Sequence, residues 1–165
     1  MIGKMKKRLI RTASNQEAVD FIIDFLKTHD SELEAQVAHK IEYFEVTLKR
    51  AFDSGELDND NIEDYLYSPT MDYSKINIDD FSDSDAIEKV VKDSISSNPK
   101  QIRNIISDTV LKSYPLSKAI SQKFYNSKRQ SSNYWTTDLL DEADEDIIFN
   151  DSSLTALVQK LIKDL

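Results

Sequence analysis

Cysteine is absent from this 165-residue chain, and glycine (2), histidine (2) and proline (3) are scarce. Without thiols there is no disulfide, no thiolate nucleophile, no iron–sulfur cluster and no Cys-ligated zinc. The chain therefore carries no mark of an oxidising compartment, and a cytoplasmic setting is the expectation. Loops, hairpins and sheets normally draw on more glycine and proline than this, so the shortage favours helices. It also nearly excludes a Gly-rich phosphate loop and a serine nucleophile elbow. Long apolar runs are missing too. The most apolar stretch, Phe21 to Leu26, is interrupted by Asp24 and is far shorter than the roughly 20 residues that cross a bilayer, so no membrane partner is expected. Lys4, Lys6, Lys7, Arg8 and Arg11 make a basic start that no apolar region follows, so a secretory leader is not expected.

What is present is helical spacing. At this length one compact unit buries about 70% of its unfolded surface, so one domain is the default. Ser14 and Glu17 have the spacing of a capping box, and Ala18, Phe21, Ile22, Phe25 and Leu26 then recur as a helical stripe over about 15–28. Ser31 and Glu34 offer a second box ahead of Leu33, Val37, Ile41, Phe44, Leu48, Ala51 and Phe52, with Gly55 placed to end that helix. Residues 56–81 are acidic, contain Pro69 and read as a long connection, with a short helix possible around Ile62, Tyr65 and Leu66. A helix starting at Ser82 or Ser84 buries Ala86, Ile87, Val90, Val91 and Ile95. Asn98, Pro99 and Gln101 then supply an N-cap, a first-turn proline and a box partner for the next helix. That helix uses Ile102, Ile105, Ile106, Val110 and Leu111, and Pro115 forces a restart that buries Leu116, Ala119, Ile120, Phe124 and Tyr125. Thr137 caps a helix through Leu139, Leu140, Ala143, Ile147 and Ile148, and Asp151-Ser152 caps the last, through Leu154, Leu157, Val158, Leu161, Ile162 and Leu165.

The expected fold is all-α: about seven helices in one domain over 14–165, with an extended basic N-terminal arm over 1–13. A helical hairpin at 14–55 and a bundle at 82–165 are its natural sub-units. No internal repeat or sustained heptad points to a solenoid or a long coiled coil.

Candidate chemistry is thin. His29 and His39 lack the Glu-x-x-His spacing of a di-iron bundle, because Leu26 and Gln36 stand three residues before them. The acidic runs Asp58 to Asn61 and Asp79 to Glu88 resemble calcium loops in composition, but neither has the glycine and glutamate register of an EF-hand, and both read as solvated caps and turns. The acids Asp138, Asp141, Glu142, Asp144, Glu145 and Asp146 surround a helix rather than facing one another, which gives no support to paired-carboxylate chemistry. The expectation is a non-enzymatic protein with no metal and no cofactor.

Charge is the remaining signal. The net charge of −9 is distributed in blocks: +5 over 1–13, −4 over 14–52, −10 over 53–97, +6 over 98–132 and −6 over 133–165. Segregation of this kind suits contact with copies or partners of opposite charge, and the acidic total argues against general coating of nucleic acid. The residues expected to bind are Lys6, Lys7, Arg8 and Arg11 in the arm, with Arg103, Lys118, Lys123, Lys128 and Arg129 in the basic helix pair. Two helices meeting at Ser113-Tyr114-Pro115, the second basic, with Tyr125, Tyr134 and Trp135 nearby, resemble a helix-turn-helix in outline. The turn, however, contains proline rather than a small residue. The leading expectation is a protein-interaction or structural-assembly protein. Its composition, rich in Ile, Lys, Asn, Asp, Ser and Tyr, fits a phage or mobile-element gene and hence a host cytoplasm or virion. The alternatives are a nucleic-acid-binding regulator using 1–13 and 98–132, and an acidic inhibitor or immunity protein covering a basic partner.

Overall fold

The computed structural model describes residues 16–68, 71–125 and 145–165. The basic arm, the Ser14 box, the Thr137 cap, most of the 138–146 acidic run, Lys128 and Arg129 lie outside the described residues. Among those described, every regular element is helical. They are α1 (16–28), α2 (Asp30–Ser54), α3 (Ile62–Leu66), α4 (Ser84–Ser96), α5 (Pro99–Lys112), α6 (Tyr114–Ile120), α7 (Glu145–Phe149) and α8 (Ser152–Asp164). Two 3₁₀ turns, Tyr73–Lys75 and Ile78–Ser82, precede α4, and a π-helical turn, Ser121–Tyr125, follows α6. The contacts divide the chain into two compact units. Unit one comprises residues up to Glu32 with Ile106–Leu157, and unit two Leu33–Ile105 with Val158–Leu165. The division falls within α2, α5 and α8.

In unit one, α1 buries Ala18, Ile22, Phe25 and Leu26 of the stripe that its spacing predicts, together with Val19, which lies outside that stripe, while Phe21 is only half-buried. The chain leaves α1 through Thr28, whose hydroxyl donates to the Asp24 carbonyl at 2.9 Å, and the His29 ring stacks on Phe25 with centroids 4.2 Å apart. His29 is thus a joint between two helices. Ser31 does not cap α2, which already begins at Asp30. Asp30 and Glu32 in the first turn place negative charge against the helix's positive end. Ser113 Oγ accepts the Leu116 N–H at 3.1 Å to start α6, so Pro115 sits in the first turn, where its missing N–H costs nothing. At the other end of the unit, Asp151 Oδ1 accepts the Leu154 N–H at 2.9 Å to start α8, bonds the Ser153 hydroxyl, and lies 3.6 Å from Lys27 of α1.

In unit two, α2 buries Leu33, Val37, Ile41, Phe44, Leu48 and Ala51, and each fully buried large side chain contributes about 1.5–3 kcal/mol. Gly55 follows at φ +79, the left-handed conformation that ends helices. The segment 56–81 is more than a connection. It buries Leu57, Ile62, Leu66, Ile78 and Phe81, and Phe81 meets Phe52 edge to face at 6.3 Å. Its backbone is held by side chains rather than by glycine. Asp58 Oδ1 accepts the N–H groups of Asp60 and Asn61, both at 2.8 Å, and Asn61 Oδ1 accepts the Asp58 N–H at 2.8 Å. Asn77 caps the second 3₁₀ turn and Asp83 caps α4, so the helix starts at Ser84, the second of the two serines that spacing suggests.

A polar joint ties this segment to the α4–α5 corner. Asn98 Oδ1 accepts the Lys100 N–H at 3.1 Å, while its Nδ2 donates to the Tyr67 carbonyl at 2.8 Å. Ser94 Oγ donates to the Leu66 carbonyl at 3.4 Å, and the Ser68 and Ser97 hydroxyls lie 3.2 Å apart. The Tyr73 hydroxyl donates to the Ser68 carbonyl at 2.8 Å and accepts the Ser68 N–H at 2.9 Å. Gln101 does not close the expected capping box. The Asn98 N–H bonds instead to the Ile95 carbonyl at 3.1 Å, and Gln101 Oε1 is buried with no hydrogen-bond partner among the described residues.

Two stability tests follow from these caps. Asn98→Ala removes a helix cap and a buried cross-segment bond together, and is expected to cost about 1–3 kcal/mol, read as a lower urea midpoint at unchanged m value. An unmoved midpoint would show that the joint carries no weight. The second concerns Asp151, whose carboxyl is held below the ordinary carboxylate range mainly by the Ser153 hydroxyl, aided by backbone N–H groups and Lys27 and opposed by partial burial. A depressed folded pKa gives stability that is present above the unfolded value of about 3.9 and lost as pH falls through the folded one. Asp151→Ala should therefore cost about 1 kcal/mol at neutral pH. Its difference from the unsubstituted chain should shrink in melts taken below about pH 4.

Candidate functional site

The described basic residues expected to bind fall in different units. Arg103, on α5, belongs to unit two, whereas Lys118 and Lys123 belong to unit one. Lys123, in the π-helical turn, holds its ammonium 4.8 Å from the centroid of the Phe21 ring, an attraction worth about 0.5–1 kcal/mol at an exposed site. Lys118 is exposed on α6 and has no ion-pair partner among the described residues. Lys6, Lys7, Arg8, Arg11, Lys128 and Arg129 lie outside the described residues.

Around Lys118 the chain builds a basic and aromatic corner. Helix α5 buries Ile106, Thr109 and Val110, so Leu111, one residue further round the helix, falls off the inward stripe and is 39% exposed. Leu111 therefore does not join the core as its spacing suggests. The backbone turns at the extended Ser113, and α6 restarts with Tyr114 turned outward, 75% exposed, while Leu116, Ser117 and Ile120 face inward. Lys112, in the last turn of α5, is exposed as well. Residues 109–120 contain two lysines and no acid. An apolar side chain, an aromatic ring and two cations are thus exposed within the eight residues 111–118, across the α5–α6 break. This grouping suits a partner that brings apolar surface and negative charge. Sequence spacing identifies Lys118 but misses Leu111, Lys112 and Tyr114 as a surface. The available signal is the Ser113 cap with Pro115, which places Tyr114 at the first helical position.

Grooves also line unit two among the described residues. One, of about 560 Å³, runs beside α4 and the end of α8, among Asp85, Glu88, Lys89, Lys92, Asp93, Ile162 and Lys163. Its charges are partly mutual. Lys92 Nζ lies 2.6 Å from Glu88, and Gln159 Nε2 donates to the Ser96 carbonyl at 3.0 Å, covering the end of α4. Another, of about 310 Å³, is lined by Glu45, Val46, Lys49, Arg50, Ser84 and Ile87. Burial pushes the Glu45 carboxyl above its ordinary value, with Glu88 and Glu42 acting in the same direction and Lys92 against them. No group of three or more His, Asp or Glu side chains among the described residues is arranged to hold a metal ion. The Asp58 to Asn61 run instead uses Asp58 and Asn61 to bond backbone N–H groups. Among the described residues no helix is long and apolar enough to cross a membrane.

The corner's side chains are outside the core, so Tyr114→Ala and Lys118→Glu should each change stability by no more than about 0.5 kcal/mol. Thermal melts would check this, and a larger loss would assign the corner a structural role. No protein-family model, no curated protein and no solved structure matches this chain.

Proposed function

We propose that this chain is a non-enzymatic interaction or assembly protein, of phage or mobile-element type, that docks onto acidic surfaces of its partners. The observation that carries this reading is the Leu111–Lys118 corner, where Tyr114 and Leu111 are exposed beside Lys112 and Lys118 with no acid in that stretch of chain. Exposed tyrosines carry a large share of binding free energy where they become buried, and rim lysines steer an acidic partner and set its register. The blockwise charge, +6 over 98–132 within a chain of net −9, supports attraction to discrete surfaces rather than to a uniform polyanion.

A nucleic-acid-binding regulator draws on the same bases. Phosphate binding normally uses a broad basic footprint, and Lys123 already lies over Phe21. The acidic-inhibitor reading draws on 53–97, where Asp58, Asp72 and Asp83 also cap turns. The experiment that tests the leading reading is co-purification from the native source, with nuclease treatment, comparing the unsubstituted chain with Tyr114→Ala/Lys118→Glu. A protein retained after nuclease treatment, with retention falling about tenfold or more in the variant, is the expected result. Equal retention by the variant, or retention abolished by nuclease, would overturn the proposal.

A further inference from the structure

Resting on the docking reading above, we propose that the partner seated on the Leu111–Lys118 corner is a second copy of this chain, bound through the acidic turn that carries Tyr67. Tyr67 is, with Tyr114, one of the two most exposed large hydrophobic side chains among the described residues, at 66%. It is also fixed. Its backbone is left-handed, at φ 56, a conformation that is strained for a non-glycine residue and persists only where neighbours hold it. The holding groups are identifiable. The Tyr67 N–H bonds the Glu63 carbonyl at 2.9 Å, its carbonyl accepts from the buried Asn98 at 2.8 Å, and the next residue, Ser68, is bound on both N–H and carbonyl by the Tyr73 hydroxyl. A ring presented on a backbone held in this way loses little backbone entropy when a partner covers it.

Charge selects the partner. Glu63 and Asp64, in the helical turn that leads into Tyr67, are exposed and have no ion-pair partner among the described residues. Lys112 and Lys118 stand in the same condition at the corner. Each surface therefore offers an exposed tyrosine and two uncompensated charges, and the two surfaces are opposite in sign. Two different patches that complement each other let every copy donate one patch and accept at the other. A contact of this small size is weak, dependent on concentration, and loosened by salt.

Sedimentation velocity over a roughly hundredfold concentration range, at low and at raised salt, tests this with the full chain. The unsubstituted protein is expected to show a weight-average mass that rises with concentration and falls back with salt. Two variants neutralise one patch each: Lys112→Ala/Lys118→Ala and Glu63→Gln/Asp64→Asn, with circular dichroism confirming that both are folded. Each alone should remain a monomer. Mixed, they retain one intact patch apiece and should form a one-to-one complex that grows no further, because the other patch on each is disabled. That complementation cannot arise from misfolding. A monomeric unsubstituted chain at every concentration, association unaffected by either variant, or a mixture that stays monomeric would overturn the proposal. If the chain is monomeric yet another protein is retained through the corner in the co-purification, self-association fails while the docking reading stands.

Discussion

Helix ends must satisfy N–H groups that the helix itself leaves without partners, and this chain does so with almost no glycine. Its solution is the short polar side chain that accepts from the backbone two or three residues ahead. Asp58, Asp72, Asn77, Asp83, Asn98, Ser113 and Asp151 each do this, and every turn they make starts or steadies a helical segment. The device explains part of the acidity. Three of the carboxylates over 53–97, Asp58, Asp72 and Asp83, form such turns, and hydrogen bonding to Ser74 lowers the Asp72 pKa just as the Ser153 hydroxyl lowers that of Asp151. Negative charge at a helix start is also favourable against the peptide dipoles. A strongly acidic stretch can therefore be a structural outcome before it is a binding signal.

The Asn98 joint shows how such a cap takes on a second role. One face of its amide starts α5, and the other reaches back to a residue at the end of α3. Because the amide is buried, both bonds must be made or their loss is costly. The consequence reaches the surface. Tyr67 remains left-handed and outward because Asn98 holds its carbonyl, so a buried cap sets the position of an exposed ring. Gly55 marks the contrast: at that left-handed position the chain uses glycine, which carries no strain there, whereas at Tyr67 it retains a side chain. Retaining it is what gives the turn something to present.

Much of the architecture was legible before any coordinates. The stripes of α1 and α2, the stop at Gly55, the Asn98-Pro99 start, the restart at Pro115 and the Asp151 cap are local patterns, and local patterns survive folding because their partners are a few residues away. The failures share the opposite property. Gln101 has the right spacing for a capping box, but Asn98 sends its N–H to Ile95 instead. Leu111 has a core residue's chemistry but not a core residue's angle on the helix. The segment 56–81 looks polar in sequence, yet its isolated Leu57, Ile78 and Phe81 are buried, and no periodicity announces them. Of the candidate site, Lys118 could be read from charge alone, whereas Tyr114 and Leu111 join it only through what the helices leave exposed.

The sequence by itself determined that the chain is helical, where most helices start and stop, and that its charge lies in blocks. These follow from spacing, capping chemistry and composition, which act within one or two turns of backbone. Tertiary structure decided which charges remain available and which aromatic rings face outward. It set Lys123 over Phe21, buried Phe81 against Phe52, and left Tyr67 and Tyr114 exposed beside charges of opposite sign. Those outcomes depend on groups far apart in the chain competing for the same buried volume, and spacing along the sequence carries no record of that competition.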